Sequence, residues 1–144
     1  MLKLISIVAY VGMAGSVAWL LVTRNLFSPA PVLIILQVVA LLLLVWARVT
    51  FGRRSLHVVA NPTEGGLVTS GPYRYIRHPI YAALCLFTGA TLIAHRSWQV
   101  VLCVGLVFSS SLIRIFCEET LVGARYPEYK QYAARTWRMI PFIF

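Results

Sequence analysis

Three groups of residues are of the right types and spacings to do chemistry. The first is Arg77-His78-Pro79 with Tyr81, where proline at a first helical position would set an arginine and a histidine at a helix entrance. A helix N-terminus with arginine beside it suits a carboxylate or phosphate. The second is the pair Glu118-Glu119 at the end of an apolar run. Two adjacent carboxylates there are costly unless paired or hydrated, so they are either neutralised by Arg114 or Arg77 or form a site for a cation. The third is Tyr129, Tyr132 and Arg135, which recur at intervals of three and share one side of a short helix. Taken singly, each residue has a plain structural explanation: Arg74 and Arg77 snorkelling to headgroups, Tyr73, Tyr75 and Tyr81 forming an interfacial belt, and the last helix lying in the interface with Trp137 and the closing Pro-Phe-Ile-Phe. His78 has no second histidine or cysteine at metal spacing, so no metal site is expected. Only the combination points to a reaction centre.

The elements that must hold these groups are apolar. The 144 residues are 60% hydrophobic and 12% charged, with mean hydropathy +0.81, more apolar surface than a soluble domain of this size can bury. Lipid is therefore the solvent for much of the chain. Uncharged runs at about 4–22 and 31–47 predict two spanning helices, with Pro31 in the first turn of the second and Gln37 its one polar interruption. Two shorter runs, 80–94 and 98–113, joined by His95-Arg96-Ser97, predict a second hairpin that crosses only with tilt, thinning or extension beyond the apolar limits. A last short helix is expected from Pro127 to about Arg135, with Glu128 at its positive end.

The predicted fold is thus an all-α polytopic membrane protein of about four transmembrane helices plus a short C-terminal interfacial helix. It forms one membrane domain, divided into an N-terminal hairpin (1–50), a connecting segment (51–79), a C-terminal hairpin (80–117) and a closing segment (118–144). The formal charge of +9 would suit nucleic acid, but the basic residues flank the apolar runs, as expected for membrane orientation, and no nucleic-acid partner is expected. With four spans, all of the thirteen basic residues except Arg24 and Arg96 fall on one side. That side, with both termini and the polar segments, is expected to be cytoplasmic. Lys3, the apolar run and the small residues at 14–18 resemble a signal peptide, but the run continues through Trp19 to Val22, which favours a retained helix. The pairs Gly12/Ser16 and Ala14/Ala18 would permit close helix packing. Cys85, Cys103 and Cys117 are an odd count in or beside apolar runs and imply no disulfide framework. Nothing in the sequence specifies an oligomer.

The string Thr69-Ser-Gly-Pro-Tyr-Arg-Tyr-Ile-Arg-His-Pro-Ile-Tyr81, followed by Glu118-Glu119, then by Tyr126-Pro-Glu-Tyr-Lys-Gln-Tyr132, Arg135 and Ile140-Pro141, resembles the isoprenylcysteine carboxyl methyltransferase and phospholipid methyltransferase superfamily of membrane enzymes. The resemblance implies S-adenosylmethionine as cofactor and a lipophilic acceptor entering from the bilayer. Carried over, it makes His78, Tyr81, Glu118, Glu119, Tyr129, Tyr132 and Arg135 cofactor contacts, and Arg77 and Glu118 the catalytic residues, with Arg77 nearest the acceptor. No GxGxxG follows a strand, and the chain has no room for the dinucleotide-type domain of soluble methyltransferases. Methyl transfer needs in-line placement and exclusion of water more than acid–base groups. A carboxylate acceptor is already ionised at neutral pH, whereas a lipid amine needs a base, for which Glu118 or His78 is the candidate. The competing readings are an NADPH-dependent membrane reductase of the sterol type, which would share the closing segment, and a non-catalytic scaffold.

Overall fold

The computed structural model describes residues 1–52 and 66–144, so most of the N-terminal part of the 51–79 connecting segment, including Glu64 and the first of its two adjacent glycines, lies outside the described residues. Every regular element among the described residues is helical: α1 (Leu2–Val22), α2 (Pro31–Phe51), a single 3-10 turn (Gly71–Arg74), α3 (Pro79–Ala94), α4 (Trp98–Arg125) and α5 (Tyr129–Arg135). α1, α2 and α4 are long and apolar enough to cross a membrane, and α3 is a shorter apolar helix. Polytopic helical architecture follows directly from the four apolar runs.

One boundary differs in a way that matters for the site. The fourth helix extends past its apolar limit near 113, and beyond the glutamates expected at its end, to Arg125; its 28 residues span about 42 Å at 1.5 Å per residue, well beyond a hydrocarbon core of roughly 30 Å. Glu118 and Glu119 therefore lie inside a continuous helix, and the division expected between 117 and 118 falls within α4. Hydropathy cannot see this, because helical hydrogen bonding continues after the side chains turn polar. α3, with 16 residues, reaches only about 24 Å and is the short partner of the hairpin.

α1 packs on α4, α2 on α3, and α3 on α4. α1 buries Ser6, Ala9, Met13, Ser16 and Leu20, a stripe at spacings of three and four, and leaves residues such as Val8, Val11 and Leu21 to lipid. Gly12 lies beside Ser110 of α4 and Ser16 is buried one turn on, whereas Ala14 and Ala18 are exposed, so only the first small pair serves helix packing. The core is built by Leu20, Phe87, Val100 and Val104 toward one end and by Met13, Tyr81, Val107 and Ile115 toward the other.

The ends of the bundle are fastened differently. At one end Gln37, buried, donates to the Leu26 carbonyl (3.0 Å) and to Thr91 Oγ1 (3.2 Å) and accepts from the Ser28 amide (3.1 Å). The polar interruption of the second span is thus the staple of the first loop, with its hydrogen bonds satisfied inside the protein. At the other end the 3-10 turn docks on the last turn of α2, where Tyr73 meets Phe51 with ring centroids 5.3 Å apart. Gly71 has φ +56° there, and a Cβ on it would lie 2.6 Å from Thr50 Oγ1, so both backbone conformation and space demand glycine. This docking delivers the chain to Pro79 and places the Arg-His pair at the mouth of α3.

Candidate active site

Pro79 occupies the first turn of α3 and His78 is its N-cap, as the sequence predicted. The residues before it pair with the returning C-terminal segment: Ile76 bridges Trp137 in parallel, the Arg77 amide donates to the Trp137 carbonyl (2.7 Å), the His78 amide to that of Arg138 (2.9 Å), and the Trp137 amide to that of Tyr75 (3.1 Å). The C-terminal segment is thereby laid across the entrance of α3. Side chains from α3, α4 and this segment converge beneath it.

Glu119 is the hub. Its Oε1 accepts from Arg77 Nε (2.9 Å) and lies 3.3 Å from His78 Nε2, while its Oε2 accepts from Arg138 Nε (3.0 Å). Arg77 also donates through Nη1 to the Ala133 carbonyl at 2.9 Å and to the Thr136 carbonyl. Its side chain is 9% exposed, so the arginine expected nearest an acceptor is held as a clamp between Glu119 and the end of α5. Glu118 is bound on one side only: Oε1 accepts from Tyr81 Oη (2.5 Å) and from Arg114 Nη2 (3.1 Å), whereas Oε2 has no hydrogen bond among the described residues and lies 3.7 Å from His78 Nδ1. His78 therefore stands between the two carboxylates, with the Tyr81 ring 5.9 Å away.

α5 brings Tyr129 and Tyr132 over this cluster, with ring centroids 6.1 Å apart. Tyr132 donates to the Tyr73 carbonyl (2.8 Å), while the Tyr129 hydroxyl is buried without a hydrogen-bond partner among the described residues. Burial pushes the Tyr132 phenol up to about 12 against the opposing pull of Arg77. The Tyr129 phenol is raised by burial and by the Glu119 charge, and that of Tyr73 by burial and then by Tyr132 and Glu118. All three remain neutral donors at ordinary pH. Arg135, the third member of the periodic set, is exposed in the last turn of α5. The structure thus gathers Arg77, His78, Tyr81, Glu118, Glu119, Tyr129 and Tyr132 into one site and leaves Arg135 on its outside.

Two residues absent from the sequence-derived set belong to it. Arg138 follows the helix in an irregular stretch, where no periodicity marks it, and only the Ile76–Trp137 pairing carries it to Glu119. Arg114, buried in α4, is four residues before Glu118 and was legible as a pairing partner, but its reach to Tyr81 was not.

Beside the polar cluster is an apolar cavity of about 510 Å³, bounded by Leu43 and Trp46 of α2, Cys85 of α3, Phe108 of α4, and Ile76 and Ile140 from the segments around the site. Its wall also includes Ala82 and Met139, chain neighbours of Tyr81 and Arg138, so cavity and cluster share a boundary. Among the described residues no three His, Cys, Asp or Glu side chains come together as a metal site.

An unbonded carboxylate oxygen beside His78, and a buried Tyr129 hydroxyl without a hydrogen-bond partner among the described residues, match the needs of a small cationic ligand bearing hydrogen-bonding groups. Comparison with known proteins agrees on the region involved. The profile of the isoprenylcysteine carboxyl methyltransferase family matches residues 32–123, which include Arg77, His78, Tyr81, Arg114, Glu118 and Glu119. A 78-residue stretch is 33% identical to the nickel-cobalt-cadmium resistance protein NccN of Alcaligenes xylosoxydans xylosoxydans, covering 52% of this chain and 36% of that protein. No solved structure matches. With the matched region spanning most of the chain and the α3 and α4 parts of the polar cluster, the protein belongs to the isoprenylcysteine carboxyl methyltransferase family of membrane methyltransferases.

Proposed function

We propose that the chain is an S-adenosylmethionine-dependent methyltransferase that acts at the membrane on a lipophilic acceptor, a carboxylate of the isoprenylcysteine type or a related small lipid. The observation that carries this reading is the half-bound Glu118, whose Oε2 makes no hydrogen bond among the described residues and lies 3.7 Å from His78 Nδ1. These residues would hold the cofactor, which supplies an electrophilic methyl group on a sulfonium. Glu118 Oε2 offers the negative charge that a cationic donor needs, the Tyr129 hydroxyl and the His78 ring orient it, and Tyr81 holds the other oxygen of Glu118. Glu119 and Arg77 keep the closing segment in place, which excludes water and narrows the approach to the methyl group.

The apolar cavity supplies the acceptor side. Its volume lies within the range of roughly 300–1,000 Å³ typical of small-molecule sites. A hydrocarbon chain seated against Trp46, Phe108 and Ile140 would bring its polar head to the shared boundary at Ala82 and Met139. Because Arg77 is already engaged, its positive charge steers an anionic head at range without a tight pair that would blunt the nucleophile. The basic residues at this end, among them Lys3, Arg48, Arg74 and Arg125, support a cytoplasmic site under the positive-inside rule.

The test is thermal denaturation of the detergent-solubilised protein with S-adenosylmethionine, with S-adenosylhomocysteine and with NADPH. A ligand at 100 times its Kd adds about 2.7 kcal/mol to folded-state stability. Stabilisation by the two sulfur ligands and not by NADPH is expected, and the reverse would assign a reductase. With labelled methyl donor and lipid extracts, Ala82→Phe should cut acceptor methylation and leave donor affinity unchanged. Equal acceptor turnover in that variant would remove the cavity from the reading.

A further inference from the structure

Arg114 is 4% exposed in the middle of the bundle, where a charge survives only with several good partners. It has them on three helices. Nη1 donates to the Ser6 carbonyl of α1 (3.1 Å), Nε to Tyr81 Oη of α3 (2.6 Å), and Nη2 to Glu118 Oε1 one turn along α4 (3.1 Å), while the guanidinium lies over the ring of Tyr10 in α1 at 5.2 Å.

The directions of these bonds carry the argument. A guanidinium nitrogen only donates, so the Tyr81 oxygen must accept from Arg114 and turn its single proton to Glu118 Oε1, 2.5 Å away. Oε1 then has two donors from the bundle side. The carboxylate can satisfy both only in the rotation that points Oε2 toward His78. Arg114 therefore determines which oxygen of Glu118 is available. Its own orientation comes from α1, since the Ser6 carbonyl and the Tyr10 ring fix the plane of the fork, and α1 lies outside the residues 32–123 that match the family.

We propose that Arg114 is a positioning residue, anchored on the first transmembrane helix by Ser6 and Tyr10, that presents Glu118 Oε2 to the cationic methyl donor. α1 is then a working part of the site rather than only a membrane anchor. The proposal rests on the donor reading above.

The test is isothermal titration of the full-length protein in detergent with S-adenosylhomocysteine, for Arg114→Lys, Glu118→Gln, the double variant and Tyr10→Leu. Lysine keeps the charge but cannot span the three partners, so Arg114→Lys should weaken binding about tenfold, whereas in the Glu118→Gln background the same change should cost less than about twofold. A generally damaged fold would instead give losses that add. Tyr10→Leu, which leaves every polar group of the site intact, should weaken binding several-fold. Wild-type affinity in Arg114→Lys, or additive losses in the double variant, would overturn the proposal. If Arg114→Lys does not fold, unchanged affinity in Tyr10→Leu overturns it from the α1 side. A wild-type protein that binds no sulfur ligand overturns the donor reading and this proposal together, an outcome distinct from binding that ignores Arg114.

Discussion

Replacing Glu119 by glutamine changes almost no volume and removes the charge on which three cationic or ring donors converge. In the wild type Oε1 holds Arg77 at 2.9 Å and His78 at 3.3 Å, and Oε2 holds Arg138 at 3.0 Å. The glutamine keeps one acceptor oxygen and turns an NH2 group on a guanidinium. Breaking a buried ion pair from one side costs about 3–5 kcal/mol. Glu119 is 13% exposed, Arg138 about one third exposed and therefore screened, and the carbonyl of the amide retains one bond, so a loss of about 2 kcal/mol is the appropriate figure. The loss is local, because Arg77 and Arg138 belong to the two segments paired across the entrance of α3. Opening of that pairing should become about 30-fold more frequent. The assay is amide hydrogen exchange by mass spectrometry on the peptides carrying the Arg77, His78 and Trp137 amides, which donate across the pairing. Faster exchange there with unchanged protection in α1 and α2 is expected, together with weakened donor binding. Unaltered exchange at those amides, or an equal rise throughout the helices, would refute the view that Glu119 closes the site.

Gly71→Ala should cost about 2 kcal/mol or more, from a left-handed φ of +56° and a Cβ 2.6 Å from Thr50 Oγ1, and Thr50→Ala in the same chain should recover only the steric part, as thermal melts of the three variants would show. Gln37→Leu should lower stability by about 1–3 kcal/mol by leaving the buried Ser28 amide unpaired, yet leave donor affinity untouched, since it acts at the far end of the bundle; titration of a folded variant separates the two effects. The Tyr132 phenol is held at about 12 in the folded state against an ordinary value near 10, so the stability it contributes is complete below pH ~10 and is lost as pH rises toward 12. Tyr132→Phe should melt lower at pH 8 through loss of its bond to Tyr73, and fall less steeply between pH ~10 and ~12; parallel declines would count against the assignment.

The sequence alone determined the membrane class, the helix starts at Pro31 and Pro79, the presence of four apolar helices and the types of residue in the site, because each is written in local composition and short-range spacing. Partition into lipid depends on the run itself, and proline at a helix entrance needs no distant partner. The same locality explains why α2 and α4 continue past the apolar runs that mark them, to Phe51 and Arg125. Which glutamate is saturated and which is half-free, that Arg77 is a clamp, that Arg135 stays outside while Arg138 enters, and that the first helix reaches Glu118 through Arg114, were decided only by tertiary structure. Those outcomes depend on pairing between segments some sixty residues apart, Ile76 with Trp137, and on a helix more than a hundred residues away from its partner, Ser6 with Arg114. Side chains of one type are interchangeable in a sequence. Hydrogen-bond direction and burial in the folded chain assign them different work.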